Sequence, residues 1–275
     1  MSLIQVDKDK CLRDGLCVEV CPVGILAMDE ESGVYAVPQL VKHCIGCGHC
    51  VAVCPEGALD NVRASLKDQI PLTRYPVLDG ATALTFLRSR RSIRCYRPEP
   101  VPRDLVLQLF QAARYAPSGH NSQGLSYLVV DKREDIDRLI GIVVEWMRER
   151  VEREDPLARK LGLNGIIKAH ERGEDKIFRG APLVLVAHAS GDSWAAPVST
   201  VLALEYVELY ATALGLGTCW AGFAHACGQE YPQFAEFLNL PGNRVITGIM
   251  MAGYPRHTFR RLPERNPLDV AWLQR

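Results

Sequence analysis

One cysteine spacing occurs twice in this chain and restricts what it can fold into. The run Cys44-x2-Cys47-x2-Cys50-x3-Cys54-Pro55 has an upstream counterpart, Cys11-x2-Asp14-x2-Cys17-x3-Cys21-Pro22. Each position of the second run lies 33 residues after its partner in the first, with Asp14 where a cysteine is expected. Beyond these runs only Cys95, Cys219 and Cys227 remain. Such density suits either the disulfides of a secreted protein or metal ligation. The polar segment Gln5 to Lys10 begins almost at the initiating Met, leaving no visible signal peptide, so ligation in a cytoplasmic protein is expected. No apolar run reaches 18 residues, and the stretch from Val198 to Gly217 is broken by Glu205 and Glu208, so no membrane span is expected. With 32 basic and 32 acidic side chains the chain lacks the basic excess of a nucleic-acid binder.

Three thiolates at two-residue intervals on a tight loop can grip three irons of a cubane cluster. The fourth, three residues on and followed by proline, serves the other cluster. Gly46 and Gly48 let the loop bend and aim N–H groups at the sulfides. Exchanging the fourth ligands gives site one as Cys11, Asp14, Cys17 and Cys54, and site two as Cys44, Cys47, Cys50 and Cys21. Paired Cys-x2-Cys also suits zinc, which remains the alternative. On these motifs residues 1–60 resemble a two-cluster bacterial-type ferredoxin, which implies two short hairpins and two small helices around 4Fe–4S clusters. Asp14 departs from that pattern. It ligates the fourth iron of site one through oxygen, or that iron is missing and the cluster is 3Fe–4S, or Asp14 is a solvated bystander to an externally held iron. Oxygen is a harder ligand than thiolate, so the two sites should differ in potential.

Residues 61–78 are polar, interrupted by Pro71 and Pro76, and are expected to form a linker. Residues 79–275 alternate helical patterns with apolar strands, which argues for an α+β domain with a central mixed sheet flanked by helices. Asp79 should cap a helix running to Arg88, and Pro102 should open another whose apolar face includes Leu105, Leu109, Ala112 and Ala113. Helices are also expected over Ile136–Arg150, in the charged region to about Arg172, and over Val198–Leu214. Strands are expected over Ser126–Asp131, Leu183–His188 and Val245–Gly253, with an extended tail.

Four segments of this domain carry binding chemistry. Arg88 to Arg94 packs four arginines and two serines into seven residues, suited to a phosphate and polyol ligand or to a solvated turn. Ala116 to Gln123 is a polar turn, Leu214 to Gly222 is glycine-rich without dinucleotide-fingerprint spacing, and the tail supplies Arg260, Arg261 and Arg265. In this order they resemble the FMN-dependent nitroreductase family. The resemblance implies that Arg90, Arg91, Ser92 and Arg94 contact the flavin phosphate and ribityl chain. It also implies that Pro117, Ser118, Asn121 and Gln123 reach flavin across a homodimer interface. Trp220, Ala221 and Gly222 would line the reactive edge of the ring, and Arg261 or Arg265 would close on the phosphate. Gly124 stands where the family commonly has proline. Catalysis would rest on the cofactor, with no certain acid–base side chain. His120 and His225 are candidate proton donors, although a loop histidine is usually just hydrogen-bonded. Cys219 lies beside the proposed ring, where a structural thiol is the simpler role.

Flavin handles electrons singly or in pairs and iron–sulfur clusters singly. The expected function is therefore an oxidoreductase passing electrons between the clusters and FMN, reducing (or oxidising) an organic acceptor such as a nitro compound or quinone. The donor would be ferredoxin, flavodoxin or NAD(P)H. A non-catalytic electron-transfer or redox-sensing subunit of a larger complex is the alternative. Residues 1–60 hold 4 basic and 9 acidic side chains, so the overall neutrality conceals an acidic ferredoxin half and a basic flavin half.

Overall fold

The computed structural model describes residues 2–273. They form two compact units, one running to Val77 and including Gly119–Ser122, the other comprising Leu78–Ser118 and the chain from Gln123.

The first unit contains, in order, β1 (Ile4–Val6), α1 (Leu16–Glu19), β2 (Leu26–Asp29), β3 (Gly33–Ala36), α2 (His49–Ala52) and β4 (Leu59–Asn61). β1 pairs antiparallel with β4, and β2 with β3. The sequence repeat is visible in the backbone. Gly15 and Gly48 precede the two short helices at the same φ of 74°, a left-handed conformation glycine adopts without strain. The Ile25 N–H donates to Cys21 Sγ at 3.4 Å, and the Ala58 N–H to Cys54 Sγ at 3.2 Å. Leu3, Ile4, Ile25, Leu26, Val34, Val51 and Leu59 form the core together with Cys17 and Cys50. A core this small leaves much of the ordering to whatever the thiolates hold.

The expected linker begins inside this unit. Asp60 accepts the Leu66 N–H at 2.8 Å, and Gln69 Nε2 donates to the Ala64 carbonyl at 3.1 Å. These local hydrogen bonds fold residues 61–69 back on themselves, which a polar composition without apolar period does not reveal.

The second unit contains α3 (Gly80–Ser89), α4 (Arg103–Ala113), β5 (Ser126–Val130), α5 (Arg133–Glu152), α6 (Pro156–Lys160), α7 (Leu163–Glu171), β6 (Leu183–Ser190), α8 (Ala196–Ala213), β7 (Gly217–Trp220), α9 (Gly222–Glu230), α10 (Pro232–Leu238) and β8 (Arg244–Gly253). Asp79 caps α3 by accepting the N–H groups of Ala81 and Thr82. The sheet order is β5-β6-β8-β7, with antiparallel ladders and one parallel bridge, Ser92 to Thr218, at its edge. The period of two along the central strands divides the core. Val184, Val186, Ile249 and Met251 face one apolar cluster, with Leu139, Val143 and Met147 of α5. Leu183, Leu185, Met250 and Ala252 face the other, with Leu109 of α4 and Leu204 and Val207 of α8. Helices on both faces explain why β6 and β8 are nearly continuous apolar runs rather than alternating ones.

Candidate cofactor sites

In the first unit, one cavity is lined by Cys11, Asp14, Cys17 and Cys54, with Val6, Val34 and Leu59 among its apolar walls. Burial pushes the Cys17 thiol up, and the neighbouring charges of Cys54 and Cys11 act in the same direction. Burial likewise raises Cys50, opposed by a hydrogen bond from Asn61 and reinforced by Cys47 and Cys21. Each run thus has the fourth cysteine of the other run as an electrostatic neighbour. Asp14 Oδ1 accepts the Leu16 N–H at 3.2 Å, turning the chain into α1. Among the described residues no three His, Cys, Asp or Glu side chains converge to hold a single metal ion. Sulfur donors around an apolar cavity, with backbone N–H groups on Cys21 and Cys54 Sγ, have the donor chemistry of an iron–sulfur site.

Sequence reasoning passed over Asn61. It is only 2% exposed, and its Nδ2 lies 3.8 Å from both Cys44 Sγ and Cys50 Sγ. No local signal marks it: β4 is Leu59-Asp60-Asn61, two of its three residues polar.

In the second unit, three of the four predicted segments meet at the edge strand β7. The Ile93 N–H donates to the Thr218 carbonyl at 2.8 Å, which lays Arg90–Arg94 along the strand. Tyr96 bridges to Pro255, and the Arg256 N–H reaches the Cys95 carbonyl. Gly217 permits this approach, since a Cβ there would stand 2.3 Å from Ile93 Cγ1 and 2.9 Å from Pro255 Cγ. Arg91 Nη2 donates to the Arg261 carbonyl at 3.2 Å, and its guanidinium lies over the Phe259 ring. A cavity at this edge is lined by Arg91, Arg97, Glu208, Thr218 and His257, among others. Thr218 Oγ1 is buried without a hydrogen-bond partner. Two arginines, Arg91 and Arg97, line this cavity, so an anionic group such as a flavin phosphate fits its chemistry.

The structure differentiates the arginines. Arg90 is paired at 2.7 Å with Glu208 of α8, a carboxylate only 6% exposed, so Arg90 arrives with its charge already engaged. Arg91 spends donors on the Arg88 and Arg90 carbonyls, while Arg94, Arg261 and Arg265 are exposed. Burial pushes the Cys219 thiol up, against the lowering influence of Arg94, Ser92 and Arg179. A raised thiol is a poor nucleophile. Trp220 ends β7 with its ring edge-on to His225, whose imidazole pKa is lowered by burial and whose Nε2 has no hydrogen-bond partner. The Ala221 N–H is committed to the Ile249 carbonyl at 2.9 Å.

The polar turn divides between the units. Pro117, Ser118 and Gln123 belong to the second, where Ser118 Oγ accepts the Gln123 N–H at 3.0 Å. Asn121 belongs to the first, where its Nδ2 donates to the Ile45 and Gly46 carbonyls, both at 3.1 Å. Exposed His120 shares a left-handed backbone with Asn121 and Gln123.

A sheet covered by helices on both faces, with an arginine-rich segment laid along its edge strand, defines an α+β domain. Residues 87–254 match the model of the nitroreductase family, and residues 3–55 match the 4Fe-4S dicluster domain. The chain is 30% identical to an NADH dehydrogenase of Thermus thermophilus, over 68% of this chain and 94% of that one. It is 28% identical to a 4-nitrobenzoate reductase of Pseudomonas putida, over 66% of this chain and 89% of that one. A nitroreductase with bound FMN from Desulfitobacterium hafniense has the same fold, with a TM-score of 0.55, 23% identity, and 70% and 97% of the two chains covered. The chain belongs to the nitroreductase family of oxidoreductases and carries an N-terminal 4Fe-4S dicluster domain. The dicluster match replaces the zinc alternative. Among the described residues no helix is long and apolar enough to cross a membrane.

Proposed function

We propose that this protein binds FMN in its second unit and two iron–sulfur clusters in its first, and passes electrons between them to reduce a small organic acceptor such as a nitro compound or quinone. The observation that carries this reading is the joining, in one chain, of a dicluster domain to a nitroreductase domain. When bound, clusters exchange one electron at a time and FMN one or two, so the combination matches single-electron supply to two-electron reduction.

The residues divide the work. Cys11, Asp14, Cys17 and Cys54 hold site one, and Cys44, Cys47, Cys50 and Cys21 hold site two. Arg91 and Arg94 bind the flavin phosphate, with Arg261 or Arg265 closing from the tail and Ser92 donating to the ribityl chain. Arg90, tied to buried Glu208, fixes the start of this segment. Gly222 opens α9, where the first N–H groups lack intrahelical acceptors, and the Ala221 N–H is already used. The Gly222 N–H is therefore the donor offered to the ring edge. Pro117, Ser118 and Gln123 contact flavin from the other subunit of a homodimer. That assembly is favoured by the outer face of α8, where Val198 is 67% and Val201 54% exposed.

The test is anaerobic. Reconstituted protein is mixed with NADH, NADPH, reduced ferredoxin or reduced flavodoxin, and the flavin absorbance is followed. Bleaching by one donor, then recovery on adding a nitroaromatic or a quinone, is the expected result. The proposal fails if no donor bleaches the flavin or no acceptor restores it.

A further inference from the structure

The two halves of the first unit superpose in sequence at an offset of 33, so residues of the repeat near one site have counterparts near the other, and the differences are informative. Asn61 corresponds to Met28, and Arg63 to Glu30. Around site two, buried Asn61 reaches Cys44 Sγ and Cys50 Sγ through the same Nδ2. Its Oδ1 is anchored by the Arg63 N–H at 3.0 Å, which fixes the direction of the amide. Arg63 Nη1 donates to the Cys44 carbonyl, and Asn121 Nδ2 to the carbonyls of Ile45 and Gly46. Three side chains outside the cysteine run therefore direct donors at the Cys44–Cys47 loop. The corresponding stretch after site one is Met28-Asp29-Glu30-Glu31, with no side-chain donor at the position of Asn61. The cation in the wall of site one, Arg13, spends its Nη1 on the Glu30 carbonyl, and Asp14 stands where Cys47 stands, one anion for another.

Reduction adds one negative charge to a cluster. An N–H donor aimed at its sulfurs stabilises that charge, and so does a nearby cation. Burial strengthens the Asn61 contribution, because the donor acts in a region of low dielectric. Exposed Arg63 is screened by solvent and contributes less.

Resting on the cluster sites proposed above, we infer that Asn61, supported by Arg63 and Asn121, makes the Cys44/Cys47/Cys50/Cys21 site the more easily reduced of the two. The first electron delivered by a one-electron reductant settles there, the reductant losing that electron and no bond being made or broken. Asn61 is a positioning residue of the electron path, and site one is the station of lower potential.

The experiment is a reductive titration of the full chain, reconstituted anaerobically and followed by electron paramagnetic resonance, with iron and sulfide assayed on every sample. Asp14→Cys alters site one alone, so the wave it leaves unmoved belongs to site two. That wave is expected at the higher potential. Asn61→Met, which installs the residue of the other half, should shift it downward without moving site one. Arg63→Glu and Asn121→Ala should shift it the same way by less, and they decide the question if Asn61→Met does not retain iron. Iron-replete variants whose site-two wave stays in place, or a site-two wave below that of site one, overturn the inference alone. A wild-type chain that takes up no iron and sulfide overturns the cluster reading and this inference together.

Discussion

Gly217→Ala is the sharpest perturbation of the second unit. The new methyl would lie 2.3 Å from Ile93 Cγ1, 2.9 Å from Ile93 Cβ and 2.9 Å from Pro255 Cγ. The first distance is more than 1 Å inside ordinary contact, and the clash falls on two separate segments, so rotating one side chain cannot relieve it. Overpacking of this kind costs about 1–3 kcal/mol. Displacing Ile93 also lengthens its 2.8 Å hydrogen bond to the Thr218 carbonyl, for roughly another 1 kcal/mol. The sum, about 2–4 kcal/mol, corresponds to a fall in the melting temperature of the order of 10 °C for a unit of this size. All four tryptophans, Trp146, Trp194, Trp220 and Trp272, lie in this unit, so urea unfolding followed by tryptophan fluorescence reports on it selectively. The same displacement moves Arg91, Ser92 and Arg94, so FMN affinity should fall, while Gly217→Ala combined with Ile93→Ala should recover part of the stability. A loss below about 0.5 kcal/mol with unchanged FMN affinity would refute the argument that Gly217 exists to seat this segment.

Three further changes follow from single groups. Thr218→Val removes a buried hydroxyl that has no partner and should leave the protein unchanged or more stable by about 1 kcal/mol; a loss of that size in urea unfolding would show the hydroxyl to be satisfied. Burial raises the Glu208 carboxyl above its ordinary value, only partly offset by Arg90. The folded state therefore favours its protonated form, and its contribution to stability is complete below a pH of about 4 and is lost as pH rises through the elevated folded value. Glu208→Gln should abolish that loss, and unfolding curves for variant and wild type that stay parallel across this range would contradict it. Asp14→Cys should convert site one to an all-thiolate 4Fe–4S cluster with an altered paramagnetic spectrum, and an unchanged spectrum would mean that Asp14 is not at the site.

The elements that sequence patterns located are those with strong local causes. The 33-residue repeat appears as two matched glycine-led helical turns, and Asp79 caps its helix through its own carboxylate. The strands around Leu183–His188 and Val245–Gly253 were legible as buried runs. β7 was not, because Gly217 and its neighbours look like a loop when considered alone. They form a strand because β8 pairs with them and because the Ile93 segment needs the space a side chain would fill. The pairing of Arg90 with Glu208, 118 residues away, is equally invisible to local patterns. The resemblance implies a flavin contact for Asn121; that its donor hydrogens go to the carbonyls of Ile45 and Gly46 is a partnership only the folded chain brings about.

That partnership bears on why the turn is strained. His120, Asn121 and Gln123 hold φ values of 52°, 52° and 48° without being glycine. Left-handed backbone costs a non-glycine residue about 1 kcal/mol or somewhat more, and three within four residues form a concentration that turn chemistry alone does not require. Asparagine accepts that conformation more readily than most residues, and here its amide gains two hydrogen bonds to the loop carrying Cys44 and Cys47. The strain is offset only while that loop is ordered. In the cluster reading proposed above, ligation holds it, since the small core of the first unit depends on what its thiolates bind. Loss of the clusters should therefore release Asn121 and let the turn relax.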